Sequence, residues 1–171
     1  MTATPTKPTV SVRLATAEDL PALSDRESSA ARGNAAEHLQ RSGGDYFLAM
    51  AFLDDEPAGH AALDVRPDNE LRPEVKSLYV YPNARRRGVG AAISRFLEEK
   101  AAELGFDEIF LGVTPDNPAA IPMYIGLDYT PTGEHRSAVN LEVLRLDGDQ
   151  LIPADDEPTE AIYRKSLRIG R

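Results

Sequence analysis

The stretch from Val75 to Val113 constrains this chain more than any other, because a strand pattern, a helix pattern and a second strand pattern follow one another with short joints. Val75 to Tyr81 is rich in β-branched and aromatic residues and predicts a strand. Pro82 stops it, since the residue before a proline is pushed to extended geometry and proline cannot continue a central ladder. Val89, Ile93, Phe96, Leu97, Ala101 and Leu104 then recur at three- and four-residue spacings, which puts them on one buried stripe of a helix. Gly105 stands where a glycine ends such a helix. Glu108 to Val113 is a short apolar run and predicts the second strand. Strand, helix, strand in this order predicts a right-handed crossover joining two parallel strands.

The flanking segments add antiparallel pieces. Val10, Val12 and Leu14 alternate with polar residues as a first strand does. Ala17 to Leu39 is polar, Ala-rich and helix-compatible, with a break at Gly33 and Asn34. Tyr46 to Leu53 and Gly59 to Val65 predict a hairpin around Asp54, Asp55, Glu56 and Pro57. Asn117 suits the cap of a further helix with Pro118 at its first position, while Pro122 is less comfortable there. Val139 to Leu146 and Ala161 to Leu167 are further strand candidates, separated by the acidic segment Asp147 to Glu160. The expected class is therefore α/β with a mixed sheet. A chain of 171 residues with 42% hydrophobic content suits one core: residues 1–8 read as a flexible tail and 9–171 as a single domain.

Composition excludes several functions. Cysteine is absent, so disulfides, thiolate metal ligands and thiol catalysis by this chain are excluded. Met1 to Pro8 lacks the basic and apolar segments of a secretory signal, and no apolar run approaches the roughly 20 residues that cross a bilayer. A cytoplasmic protein without membrane contact is expected. The formal net charge of -9, from 28 acidic residues against 19 Lys and Arg, repels a nucleic-acid backbone at long range. No close His/Asp/Glu pattern asks for a metal, and no metal is expected.

Within this acidic chain Arg85, Arg86 and Arg87 form an isolated basic patch, followed at once by Gly88, Val89 and Gly90. They lie between a predicted strand and a predicted helix, where unpaired backbone N–H groups and the positive helix end can meet a phosphate. A solvated basic turn is the plainer alternative. The Walker pattern is absent, and Ile93 stands where the dinucleotide fingerprint needs its third glycine or an alanine.

Val80-Tyr81-Pro82, followed by Arg85-x-x-Gly88-x-Gly90 between strand and helix, resembles the signature of the Gcn5-related N-acetyltransferase (GNAT) family. Asn117-x-x-Ala120-x-x-x-Tyr124 matches a second block of it. The resemblance spans Val10 to Leu167 as a fold and is specific from Glu74 to Tyr129. It implies a GNAT-like mixed, mostly antiparallel sheet flanked by helices, with a splayed parallel strand pair, and acetyl-CoA as co-substrate. Backbone amides from Arg86 through Arg87, Gly88, Val89 and Gly90 to Ala91 would cradle the pyrophosphate, with Arg85 adding charge. Leu78, Tyr79 and Val80 would run beside the pantetheine arm and the acetyl carbonyl, and Asn117, Ala120 and Tyr124 would meet the cofactor from the neighbouring helix. The chain departs from the family at Asp128, before Tyr129, where a glycine is frequent.

The implied chemistry is acetyl transfer to a primary amine, which needs an unprotonated nucleophile and a proton for the departing thiolate. Tyr124 is the acid candidate; a hydrogen-bonded core tyrosine is its alternative. Glu74, at the start of the strand that carries Leu78 and Val80, is the base candidate implied by the resemblance, with Asp68 and Glu70 as nearby substitutes. His60 is a lone histidine on a strand, more often a packed residue than a base. The expected acceptor is the amine of a small cationic molecule, in a groove walled by Ala17 to Leu39 and the segments after Tyr129. A peptide or protein amine is the main alternative, and a non-catalytic acyl-CoA binding module the other. A homodimer is the assembly held open.

Overall fold

The structure is a computed structural model that describes residues 9–27, 32–114, 120–137 and 159–168. Its strands are β1 (Val10–Leu14), β2 (Tyr46–Leu53), β3 (Glu56–Asp64), β4 (Glu74–Val80), β5 (Glu108–Val113), β6 (Thr130–Ser137) and β7 (Thr159–Ser166). The helices are α1 (Leu20–Ser24), α2 (Asn34–Arg41), α3 (Val89–Glu103) and α4 (Ala120–Gly126). One seven-stranded sheet runs in the order β1-β2-β3-β4-β5-β7-β6. Every neighbouring pair is antiparallel except β4 and β5, the pair joined through α3.

Helix α3 packs on one face of the sheet. Val89, Ile93, Leu97 and Ala101 are buried in a core shared with Leu63, Val75, Ile109 and Leu111. Each large apolar side chain buried there stabilises the fold by about 1.5–3 kcal/mol. Leu104 is 43% exposed because the helix has ended at Glu103, and Gly105 follows with φ +93° as the left-handed terminator. On the opposite face, Leu23 of α1 and Ala35 of α2 pack against Leu48, Met50 and Ala62. The break expected near Gly33 is real: Gly33, at φ +89°, is the N-cap of α2.

Two expectations change. The β2–β3 turn is tighter than four residues, because Asp54 and Asp55 take positive φ (49° and 70°) while Glu56 and Pro57 already pair with Leu53 and Phe52. Strand β6 had no signal. It is polar, carries Pro131 and a left-handed Gly133, and lies at the sheet edge paired only to β7, where one-sided pairing tolerates such residues. The candidate strand Val139 to Leu146 falls outside the described residues.

Two irregularities in β4 position the site. Its pairing with β5 is confined to Glu74↔Phe110 and Val75↔Leu111, after which the parallel strands part. Its pairing with β3 jumps from Ala62↔Lys76 to His60↔Tyr79, so Ser77 and Leu78 together oppose Ala61, and Ser77 takes φ +56°. This is a β-bulge, which bends the strand and interrupts its ladder at the mouth of the splay.

Candidate active site

Beyond β4 the chain makes one short helical turn at Pro82–Ala84 and then a bend in which Arg86 (φ 65°) and Gly88 (φ 80°) are both left-handed. Gly88 caps α3 without any side-chain hydrogen bond, and the Ala92 N–H donates to the Gly88 carbonyl at 3.0 Å. The N–H groups of Val89, Gly90 and Ala91 therefore precede the first α-helical bond of a 15-residue helix, in the geometry that favours an anion. Gly90 is needed for packing, since a Cβ there would lie 3.2 Å from Met123 Sδ of α4 and 3.7 Å from Val80 Cγ2. The exposed Arg86 and Arg87 make no side-chain hydrogen bond or ion pair among the described residues. Arg85 differs: its Nε donates to the Val80 carbonyl at 3.0 Å, and its guanidinium lies 5.5 Å from the Tyr79 ring centroid.

Helix α4 approaches the open end of the splay. Ala120 and Tyr124 are buried in the α3-side core, and Tyr124 meets Tyr129 edge-on at 5.9 Å. Burial pushes the Tyr124 hydroxyl up to about 12, so it stays protonated at physiological pH. Asp128 ends the turn at φ +72°, a conformation usual for glycine, which reconciles the aspartate with the family's frequent glycine there. Asn117 lies outside the described residues.

On the other face, below the bulge, lies a cavity of about 300 Å³ bounded by Leu23 of α1, Ala35 and His38 of α2, His60 of β3, and Ser77 and Tyr79 of β4. Residues of the Ala17 to Leu39 region line it, whereas among the described residues none after Tyr129 does. Burial pushes the His60 imidazole down to about 4, and its Nδ1 is buried without a hydrogen-bond partner among the described residues. Burial also lowers His38, whose Nδ1 lies 2.6 Å from the Tyr46 hydroxyl. Both rings are neutral at pH 7. The Tyr81 hydroxyl, on a ring 6.1 Å from His60, is likewise buried and unpartnered.

Glu74, the expected base, is held by other side chains. Glu74 is 2% exposed and bonded on both oxygens: Arg136 donates to Oε1 at 3.2 Å and to Oε2 at 2.7 Å, and Asn69 donates to Oε1 at 3.1 Å. Arg136 also holds Glu160 at 2.8 Å, bridging β4 to the β6–β7 hairpin across β5. Gly112 of β5 makes that passage possible, because a Cβ there would collide with the Glu160 carboxylate. Three hydrogen bonds thus fix the Glu74 carboxylate in place, and Glu74 does not line the cavity on the other face. Asp68 and Glu70, exposed in the loop after β3, do not line it either. Sequence reasoning also missed Arg26, Glu27 and Asn34 of the cavity, which carry no motif.

Among the described residues no helix is long and apolar enough to cross a membrane, and no group of three His, Asp or Glu side chains is set to hold a metal ion. A sequence profile of the Acetyltransferase (GNAT) family matches residues 13–128, and the chain belongs to that family. An uncharacterized N-acetyltransferase in pepI 3'region of Lactobacillus delbrueckii subsp. lactis is 28% identical over 127 residues, covering 71% of this chain; the chain spans 64% of the length of that relative. Among solved structures, the ribosomal-protein-S18-alanine N-acetyltransferase from Escherichia coli superposes with a TM-score of 0.64 at 18% identity, covering 95% of this chain and 97% of that one. The PaiA N-acetyltransferase from Thermoplasma acidophilum, in complex with coenzyme A, gives a TM-score of 0.66 at 16% identity, covering 92% and 99%. At these identities the structural likeness establishes the fold.

Proposed function

We propose that this protein transfers the acetyl group of acetyl-CoA to the primary amine of a small molecule. The reading rests on one juxtaposition: the left-handed turn at Arg86 and Gly88, opening the uncapped α3, adjoins the parted β4–β5 pair, with Tyr124 of α4 packed beside it. The amides of Val89, Gly90 and Ala91, with Arg86 and Arg87, suit the pyrophosphate. The bulged strand from Leu78 to Val80 suits the pantetheine arm, and the cavity on the opposite face suits the acceptor. The amine reaches the site as a cation, which the net charge of -9 favours at long range.

The cationic amine first gives up one proton to become a nucleophile; when its nitrogen bonds the acetyl carbon and the C–S bond breaks, the nitrogen loses a second proton and the sulfur gains one, so one proton is released overall. Tyr124 is the donor to sulfur. In water its raised pKa would make it a weaker acid than a thiol of about 8.5, but a thiolate at the same buried position is penalised in the same direction. Its first contribution is a hydrogen bond to the developing charge. His60, neutral and with Nδ1 unpartnered among the described residues, is the group of the cavity best suited to take the proton of the amine.

Gly88→Val tests the cofactor half of this reading. No atom lies within 4 Å of the position of a Gly88 Cβ, so the substitution acts through its left-handed backbone, where a β-branched residue is strained by roughly 1–2 kcal/mol. A folded Gly88→Val protein should bind acetyl-CoA at least tenfold more weakly by calorimetry; unchanged binding rejects the assignment. A screen of amines, reading coenzyme A release together with acceptor mass, tests the transfer. Efficient acetylation confined to protein N-termini would replace the small-molecule reading with the peptide one, the activity named for the Escherichia coli structure of like fold.

A further inference from the structure

Two charged side chains line the acceptor cavity, Arg26 and Glu27, and they are engaged very differently. Glu27 accepts hydrogen bonds on both oxygens from the start of α2: the Ala35 N–H at 2.7 Å to Oε1 and the Gly33 N–H at 2.9 Å to Oε2. Its charge is directed to a helix N-terminus, where it stabilises the helix dipole. Arg26 has one side-chain hydrogen bond, from NH1 to the neutral Ala22 carbonyl at 3.0 Å, and its guanidinium lies 5.7 Å from the Tyr81 ring centroid. No carboxylate lies within ion-pair distance of Arg26 among the described residues. The two imidazoles of the cavity are neutral and supply no competing charge. The formal charges of Arg26 and Glu27 cancel, but among the described residues only Arg26 keeps charged donors that no carboxylate engages.

We propose that the acceptor carries an anionic group, most simply a carboxylate, that pairs with Arg26 while its amine faces the bulge at Ser77 and Leu78. A guanidinium with free N–H donors is the side chain best suited to a planar carboxylate, which it binds through two parallel hydrogen bonds. Leu23, Ala35 and Leu48 then cover an apolar body between the two polar ends. The substrate class is an amino acid or an amino acid-like zwitterion, which deepens the acetyltransferase reading above and rests on it.

The test pairs acceptors that differ only in this group: free amino acids, the corresponding amino acid amides and simple polyamines. Each is assayed with acetyl-CoA against the wild-type protein, Arg26→Gln and Arg26→Lys. For a free amino acid, Arg26→Gln should raise KM roughly 10- to 100-fold, the range expected for one charged hydrogen-bonding partner, and Arg26→Lys should restore part of it. KM for acetyl-CoA and for the amides should not change. Acetylation of amides or polyamines as efficient as that of amino acids, with Arg26→Gln indifferent, overturns the inference while leaving the acetyltransferase reading intact. Acetyl-CoA binding without transfer to any amine overturns both.

Discussion

The two halves of β4 treat buried polar groups in opposite ways. From Glu74 to Lys76 every charge is partnered: Glu74 by Arg136, and the fully buried Asp64 of the adjacent strand by Arg66 and Lys76, each at 2.8 Å. From Ser77 to Tyr81 the strand bulges, parts from β5, and lies beside two buried polar atoms without partners, His60 Nδ1 and the Tyr81 hydroxyl. Burying paired charges costs desolvation even when they are intact, but removing one partner costs far more, so the first half holds its cross-strand geometry. Unpaired polar groups beside a cavity are costly to keep and are explained most simply by what they meet when the cavity fills. The carboxylate of Glu74 is thus held by the sheet's own cation, while the imidazole of His60 stands beside the cavity with Nδ1 unpartnered among the described residues.

The largest expected effect would break the paired half. Arg136→Ala leaves Glu74 and Glu160 buried without their shared cation, and such a loss destabilises by about 3–5 kcal/mol, measurable by urea unfolding. Glu74→Gln removes one charge but keeps an acceptor for Arg136, so its cost should be smaller, about 1–3 kcal/mol. In a folded Glu74→Gln protein kcat should stay near the wild-type value. A fall of two orders of magnitude there would return Glu74 to the role of base and dissolve the contrast between the halves.

The next effect is on stability against pH, and it separates the halves by the window in which each fails. His60 has its folded pKa lowered, by burial first, from 6.5 to about 4. Protonation therefore favours the unfolded chain. Stability from this group is complete above pH 6.5 and is lost as pH falls toward 4, by at most about 3 kcal/mol. His38, also lowered by burial, acts in the same direction from α2; Glu27 and the Ser77 backbone oppose it, and the aromatic neighbours of the ring are Tyr79 and Tyr81. Asp64 behaves differently. Burial alone would raise its pKa, but the hydrogen bonds from Arg66 and Lys76 outweigh it and hold the carboxyl below its usual 3.8. Its contribution is intact above that value and is lost only in stronger acid. His60→Gln should accordingly flatten the loss between pH 6.5 and 4 without changing the acid transition below it. An unchanged slope in that variant would mean that the imidazole is not desolvated.

How much of this was legible in the sequence follows from where each constraint resides. The β4–α3–β5 unit and the glycine turn were legible because periodicity, proline, glycine and the arginine run all lie inside one segment. The partnership of Glu74 with Arg136 spans 62 residues, and its passage over β5 depends on the absence of a side chain at Gly112. No local pattern records such a contact, so Glu74 read as a free strand-end carboxylate. Strand β6 was invisible for a related reason, since its polar residues become a strand only because β7 is beside them. The cavity gathers residues from α1, α2, β2, β3 and β4, which no spacing rule joins, so His60 read as a packed side chain and Arg26 not at all.

The smallest of the expected effects concerns Tyr124, buried like Glu74 but engaged mainly through its ring. Tyr124→Phe keeps the edge-on contact with Tyr129 and deletes only the hydroxyl, so stability and KM for acetyl-CoA should change little. Turnover should fall by about 100-fold, the lower end of what a positioned acid contributes and close to 2.7 kcal/mol in the barrier. Because burial holds this hydroxyl near 12, its loss of a proton should not limit kcat anywhere between pH 6 and pH 10. The kcat profiles of the wild-type and Tyr124→Phe proteins should then run parallel on the alkaline side, separated by a constant factor. Equal turnover across that range would make Tyr124 a packing residue. An alkaline decline present in the wild type and absent from the variant would place its ionisation near neutral pH and set it among groups exposed to solvent, contrary to its position in the core between α3 and the parted strands.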